Sequence, residues 1–243
     1  MDSINIIHYS TLESTNISAI EILSNSSPIE GTVISAEFQS KGRGQIGRFW
    51  HSLPKLNLLF SIILYPTFLN SRQQFVISQL VCIALIKTLK NMGITAKIKW
   101  PNDIYIGDRK VAGILIQNQI QGKTIKSSVI GIGINVSQES FPNELPNPIS
   151  LKNVLNKELN KDTLLKDIWM QIKLYYHKTA AGKIDLIVKE YHDAMYKIGE
   201  AQLLEAETQF EGRIIGVNQI GQLLVDVLGD TQAFDFREIK WIL

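Results

Sequence analysis

Six residues near the middle of the chain, Lys99-Trp100-Pro101-Asn102-Asp103-Ile104, follow a β-branched run from Ile94 to Ile98 and precede another apolar stretch. That context makes them a loop at the end of a strand. Pro101 fixes its own φ and biases Trp100 towards an extended backbone. One short, stiff turn thus carries a cation, an amide and a carboxylate in Lys99, Asn102 and Asp103, a set that suits a polar, phosphate-bearing ligand. A proline turn whose Asn-Asp pair caps its own backbone accounts for the same residues.

A second segment, Glu37 to Trp50, packs three glycines and three basic residues into the eight positions from Lys41 to Arg48. Glycine lets a backbone turn its N–H groups towards an anion, and arginine forms forked hydrogen bonds to phosphate or carboxylate. The pattern reads as an anion clamp; a flexible surface loop would not call for Phe49 and Trp50 directly behind it. Gly42-Arg43-Gly44-Gln45-Ile46-Gly47 also spells the dinucleotide fingerprint, but its context fails. No helix starts within it, and no Asp or Glu occurs between Glu37 and Lys99, where the ribose-binding acid of a Rossmann unit belongs. Gly122-Lys123-Thr124 imitates the end of a P-loop, but the first glycine of that motif would fall on Gln117. Gln121-Gly122-Lys123 is instead expected to be a hairpin turn.

The hairpin runs up through Lys110-Val111-Ala112-Gly113-Ile114-Leu115-Ile116 and returns through Ser128 to Val136. Gly113, Gly131 and Gly133 interrupt buried-looking strands, which marks a bulge or a close approach of backbone or ligand. Simple close packing explains any one of them. Three together, near Lys110 and Asn135, favour a ligand floor, with Lys110 an exposed lysine at a strand start.

At this point the chain resembles the biotin protein ligases (biotin–acetyl-CoA-carboxylase ligases). The resemblance covers Asn5 to Asn135 strongly and the last forty residues or so weakly. It rests on the Ser14-Thr15-Asn16 helix start, the Gly-Arg-Gly loop, Lys-Trp-Pro-Asn-Asp, Lys-Val-Ala-Gly-Ile-Leu and Gly-Ile-Gly-Ile-Asn, all in the family's order. The resemblance implies an α+β fold: a mixed β-sheet with helices, like the catalytic domain of class II aminoacyl-tRNA synthetases, over residues 1–197, and a small SH3-like β-barrel over 198–243. It implies that Ser14, Thr15, Asn16 and Gln39 bind the ureido head of biotin. Gly42, Arg43, Gly44, Gln45 and Gly113 would complete the biotin side, with Arg43 and Lys110 as the catalytic cations on the carboxylate and α-phosphate. Arg48, Trp50, Lys99, Asn102, Asp103 and Asn135 would surround ATP. Well-studied members carry a basic residue where this chain has Gln45, and Ile46 is uncharged too, so the loop is expected to hold the adenylate with fewer charges.

The implied chemistry joins two anions, so catalysis is mostly positioning and charge neutralisation, with Mg2+ arriving on ATP. The second step expels a good leaving group and needs no nucleophilic serine or cysteine; no G-x-S-x-G occurs. Asp103 is a candidate to orient or deprotonate the incoming lysine. The only cysteine, Cys82, lies in an apolar helical run and reads as core. The four histidines, His8, His51, His177 and His192, form no H-x-x-x-H or C-x-x-C pattern, so no dedicated metal site is expected.

With 243 residues, 45% of them hydrophobic, the chain can bury one large core and a small second one. Its net charge of +2 gives no strong general affinity for nucleic acid. A single cysteine fits a reducing compartment, and no signal peptide or membrane span is apparent, so the expected location is cytoplasmic. Because the catalytic motifs start near residue 4, no N-terminal DNA reader is expected. The expected partner is a biotin carboxyl carrier protein, and a free sheet edge would allow a homodimer. Two rivals are lipoate or octanoyl transferases, whose Arg-Arg and His-Asp pattern is absent, and a non-catalytic module that kept the pocket, against which Arg43, Lys99, Asp103 and Lys110 all argue.

The coarse order begins with a strand from Ile4 to Tyr9, a helix starting near Ser14, and three strands up to Leu64 with the glycine loop between the last two. A helix over Arg72–Asn91 and the site-bearing strands follow. After a proline-rich loop from Ser137 to Ser150 come helices over Thr163–Lys178 and Ile184–Tyr196. Short β runs fill Ala201 to Leu243, the last from Phe236 to Leu243.

Overall fold

A computed structural model describes residues 4–45 and 47–242. The uncharged Ile46, the end of the last expected strand at Leu243, and Met1-Asp2-Ser3 lie outside the described residues.

The main sheet holds seven strands: β1 (Ile6–Leu12), β2 (Val33–Gln39), β3 (Leu58–Leu64), β4 (Lys97–Lys99), β5 (Asp103–Ile106), β6 (Arg109–Gln121) and β7 (Thr124–Ile134). Their spatial order is β1-β2-β3-β7-β6-β5-β4. Only β1 and β2 run parallel; every other neighbouring pair is antiparallel. The parallel pair needs a crossover, which α1 (Thr15–Asn25) supplies. β6 and β7 meet at the expected turn, where Gly122 has φ +60°.

Strand side chains alternate between faces, and here the two faces differ in kind. One presents Val33, Phe60, Ile62, Ile130, Ile132, Ile134 and Ile114 to α2 (Phe75–Asn91), α4 (Lys161–Ala180) and α5 (Ile184–Asp193), forming the main core. α2 is apolar almost all round, as a helix enclosed on several sides must be. Cys82 is fully buried there as expected, and burial pushes its thiol pKa up. The other face carries a small cluster of Ala19, Ile34, Ile63 and Val129 under α1. Beyond α1 that face is paved with small residues, and the candidate site lies there.

A second, antiparallel sheet contains β8 (Ala201–Glu205), β9 (Gln209–Val217), β10 (Leu223–Val227), β11 (Asp230–Phe234) and β12 (Lys240–Trp241), ordered β11-β10-β9-β8-β12. Its buried Leu204, Ile214, Leu223, Val225 and Ile239 belong to the same apolar cluster as α2. So short a segment closes its core by leaning on the larger one.

Several expectations need correction. The first strand runs from Ile6 to Leu12, and two strands, not three, lie between α1 and Leu64. Between β2 and β3 the glycines and Pro54 leave, among the described residues, an isolated bridge, Arg43 to Phe49. The short helix α3 (Leu151–Leu155) was not expected; Ser150 and Asn153 cap it reciprocally. The last strand does not begin at Phe236. Asp235 N–H donates to Glu238 Oε2 at 2.8 Å and Glu238 N–H donates to Asp235 O at 3.0 Å, which closes a turn there.

Candidate functional site

The strand glycines share one face. Gly113 pairs with Gly133 across β6 and β7, and Gly131 stands two residues on. A Cβ at Gly133 would lie 2.5 Å from Trp50 Cε2, one at Gly113 would lie 3.0 Å from Trp50 Cζ3, and one at Gly131 would overlap Asn16 Oδ1. The glycines therefore form a floor over which the Trp50 indole and the Asn16 amide lie. Trp50 Nε1 is buried and has no hydrogen-bond partner among the described residues.

At one end of this floor is the start of α1. Ser14 holds the N-cap position with extended backbone, and its hydroxyl caps nothing. Thr15 N–H donates to Gln39 Oε1 at 2.7 Å. Asn16 Nδ2 donates to Leu115 O at 3.2 Å and to Gln117 Oε1 at 3.0 Å. Ser14, Thr15 and Asn16 are all buried. Of the four residues expected around a polar head group, Thr15, Asn16 and Gln39 take part in these bonds, and buried Ser14 lies beside them.

At the other end, the glycine segment closes as a small hairpin. Trp50 N–H donates to Gly42 O at 3.0 Å and Gly44 N–H to Arg48 O at 2.9 Å. Gly42 has to be glycine, because a Cβ would lie 2.5 Å from Trp50 O. Arg43 and Arg48 are exposed, and neither has an ion-pair partner among the described residues. Gln45 Nε2 donates to Asn102 Oδ1 at 3.2 Å, so the uncharged residue in the clamp ties it to the proline loop. Asn102 in turn donates from Nδ2 to Ile114 O.

Lys110 and Asp103 form an ion pair at 2.6 Å, with side chains 28% and 22% exposed. Lys110 is therefore a half-buried, paired lysine, not an exposed strand-start residue. The cause is a β-bulge: Ile104 pairs with Ala112 but Tyr105 pairs with Lys110. The skipped Val111 joins Ala112 in the core, and Lys110 returns to the site face beside Trp50, its Nζ 5.6 Å from the indole.

Lys99 stands further along the same edge. Its Nζ lies 3.4 Å from Tyr105 Oη, 4.9 Å from the Tyr105 ring and 5.5 Å from the Trp241 ring on β12. Burial lowers its pKa from 10.5 to about 8, against the raising effect of Asp103 and with smaller lowering contributions from Lys110, Arg48 and Lys197. Trp100 is buried, and its Nε1 donates to Gly221 O at 2.8 Å while its ring lies 5.3 Å from Phe236. The proline loop therefore also anchors the C-terminal sheet.

Asn135 meets the cluster through the backbone of Lys110. It is buried, and its Nδ2 donates to Ile149 O at 3.1 Å and Lys110 O at 3.4 Å, which holds the start of β6 from behind. Sequence reasoning missed Ser61, a fully buried hydroxyl in the apolar run of β3; a lone serine amid six large apolar residues was the available signal. It also missed Gln117, Tyr105 and Trp241, which only the register and the second sheet bring in.

A half-buried lysine–carboxylate pair, exposed arginines on a glycine hairpin and a buried polar cluster at the start of α1 lie along one face of a mixed sheet, a set of groups with the chemistry to hold anions and a polar head group. The description Biotin/lipoate A/B protein ligase family matches residues 9–135, and the chain belongs to that family. It is 31% identical to the bifunctional ligase/repressor BirA of Bacillus subtilis over 230 residues, covering 91% of this chain and 69% of that protein. It is 29% identical over 132 residues to the biotin–[acetyl-CoA-carboxylase] ligase of Paracoccus denitrificans, covering 51% of this chain and 52% of that one. The structure of the biotin protein ligase from Aquifex aeolicus in complex with biotin and ATP superposes with a TM-score of 0.82 at 24% identity, covering 98% of each chain.

Proposed function

We propose that this chain is an ATP-dependent ligase that activates biotin as biotinyl-5'-AMP and transfers the biotinyl group to a lysine of a biotin carboxyl carrier protein. The observation that carries this reading is the division of one sheet face. A cluster of hydrogen-bonding groups lies at the start of α1, and the Lys110–Asp103 pair, 2.6 Å apart, lies at the other end of the glycine floor. An elongated acid with a polar head and a reacting carboxylate fits that polarity.

In the first step a carboxylate oxygen bonds to the α-phosphorus and the bond to pyrophosphate breaks. Lys110 and Arg43 neutralise the charge that gathers there, and Arg43 lies on a hairpin that can wrap the product. Arg48, Trp50, Lys99 and Asn102 serve the nucleotide, which brings Mg2+ with it. In the second step the acceptor amine attacks the acyl carbon, AMP leaves, and Asp103, the carboxylate paired with Lys110, takes the amine's proton. Asn135 acts here by holding the strand that carries Lys110. Residues 198–243 form the second domain, which closes the nucleotide side through Trp100 and Trp241. No helix among the described residues is long and apolar enough to cross a membrane, and the reaction is assigned to the cytoplasm. The outer strand β1 leaves an edge on which a second copy can pair, whereas the edge of β4 is taken by the backbone of Ala194 and Tyr196, which bonds Ile98; a net charge of +2 assigns no role to nucleic acid.

The test is pyrophosphate release from ATP with biotin, lipoate or octanoate as the acid. Release with biotin alone supports the reading. Release with lipoate or octanoate in preference makes the chain a transferase-type relative, and binding of biotin without release makes it a non-catalytic module.

A further inference from the structure

Strand β3 reads Leu58-Leu59-Phe60-Ser61-Ile62-Ile63-Leu64, and all of it is buried. A hydroxyl enclosed at its centre costs free energy unless it is hydrogen-bonded. Ser61 Oγ lies 2.6 Å from Asn16 Oδ1 and 2.7 Å from Thr15 Oγ1. One hydroxyl carries one hydrogen, so Ser61 donates to only one of them.

The surroundings decide which. The carbonyl of Leu115 can only accept, and Asn16 Nδ2 lies 3.2 Å from it. Asn16 therefore points its nitrogen at β6 and its oxygen at Ser61. An amide oxygen also only accepts, so the Ser61 hydrogen goes to Asn16, and the bond between Ser61 and Thr15 has Thr15 as its donor. The Thr15 hydroxyl then turns its hydrogen inward and leaves lone pairs to face the pocket. Beside it, Gln39 Oε1 accepts from Thr15 N–H at 2.7 Å, which leaves the Gln39 N–H groups to donate. Gly131 makes the arrangement feasible, since a Cβ there would overlap Asn16.

We propose that Ser61, working with Asn16, is a positioning residue that fixes the Thr15 hydroxyl as an acceptor. The pocket then selects a head group offering an N–H donor beside a carbonyl, the pattern of a cyclic urea. This rests on the reading above that Thr15 and Gln39 face the substrate, and it explains how that site discriminates. A site built to hydrogen-bond an N–H strongly rejects an acid that lacks one, because its own polar groups are then left unpaired. The tails of lipoate and octanoate carry neither group.

The experiment is a double-mutant cycle on the full chain, read by calorimetry with biotin and by competition with lipoate. Ser61→Ala and Thr15→Val should each weaken biotin binding by about tenfold or more, while the double variant falls no more than about threefold below Thr15→Val. Ser61→Ala should also shrink the preference for biotin over lipoate by about tenfold. Ser61→Cys, similar in size and a weaker donor, should fall between, and it carries the same cycle if thermal unfolding shows that Ser61→Ala is not folded. Losses that add, or an unchanged preference over lipoate, overturn the relay while leaving the ligase reading intact. A wild-type chain that binds no biotin overturns the ligase reading and the relay with it.

Discussion

Lys110→Ala removes half of an ion pair whose atoms lie 2.6 Å apart and whose side chains are 28% and 22% exposed. Exposed pairs contribute about 0–1 kcal/mol, whereas breaking a fully buried pair costs about 3–5 kcal/mol. A half-buried pair falls between, and a loss of about 2 kcal/mol is expected. For a chain of this size that lowers Tm by about 4–8 °C, so the variant still folds. The kinetic effect is separate. If the ammonium neutralises the joined carboxylate and α-phosphate, its removal slows biotinyl-adenylate formation by about tenfold or more, which is about 1.4 kcal/mol or more in barrier. Thermal unfolding and single-turnover adenylate formation measure the two effects. Asp103→Asn is the control, because it breaks the same pair but leaves the cation in place; it should cost similar stability and a smaller share of the adenylation rate. Wild-type adenylation by Lys110→Ala, or equal rate losses in both variants, would refute the assignment of the cation.

Arg43→Gly should release biotinyl-adenylate into solution, seen as biotin on exposed lysines of an unrelated protein; labelling that stays confined to the carrier would contradict the clamp. Lys99 gives a pH dependence with a definite sign. Its folded pKa of about 8 lies below the ordinary 10.5, so the folded state binds fewer protons between those values and its contribution to stability rises with pH across that window. Its charge is lost over the same range, so kcat/KM for ATP should fall as pH rises through 8, and Lys99→Met should flatten that limb. Trp100→Phe strands Gly221 O in a buried contact at a cost of about 1–3 kcal/mol, and it should raise KM for ATP far more than it weakens biotin binding measured by calorimetry.

The motif loops were legible in sequence because proline, glycine and charge patterns act over a few residues. The hairpin of β6 and β7 followed from Gly122, and the core role of Cys82 from its neighbours. What was not legible depends on register and on contacts distant in sequence. No local rule reveals that a bulge at Val111 aims Lys110 inward, since that depends on how β6 pairs with β5. Trp100 read as part of a ligand loop, but its indole serves the C-terminal sheet 121 residues away. Asn135 directly follows a glycine-rich strand, and the bonds from its amide nitrogen to the carbonyls of Lys110 and Ile149 follow from no local pattern. Phe236 looked like a strand start because its aromatic ring suits a strand, while the flanking Asp235 and Glu238 bonded the backbone into a turn.

Transfer of biotin to one carrier lysine can be read by intact-mass analysis of an apo biotin carboxyl carrier domain incubated with this chain, biotin and Mg-ATP. The domain should gain one biotinyl group, a gain abolished when the acceptor lysine is replaced by arginine and reduced by Lys110→Ala. A carrier domain that keeps its mass, or a lipoyl domain modified in its place, would contradict it.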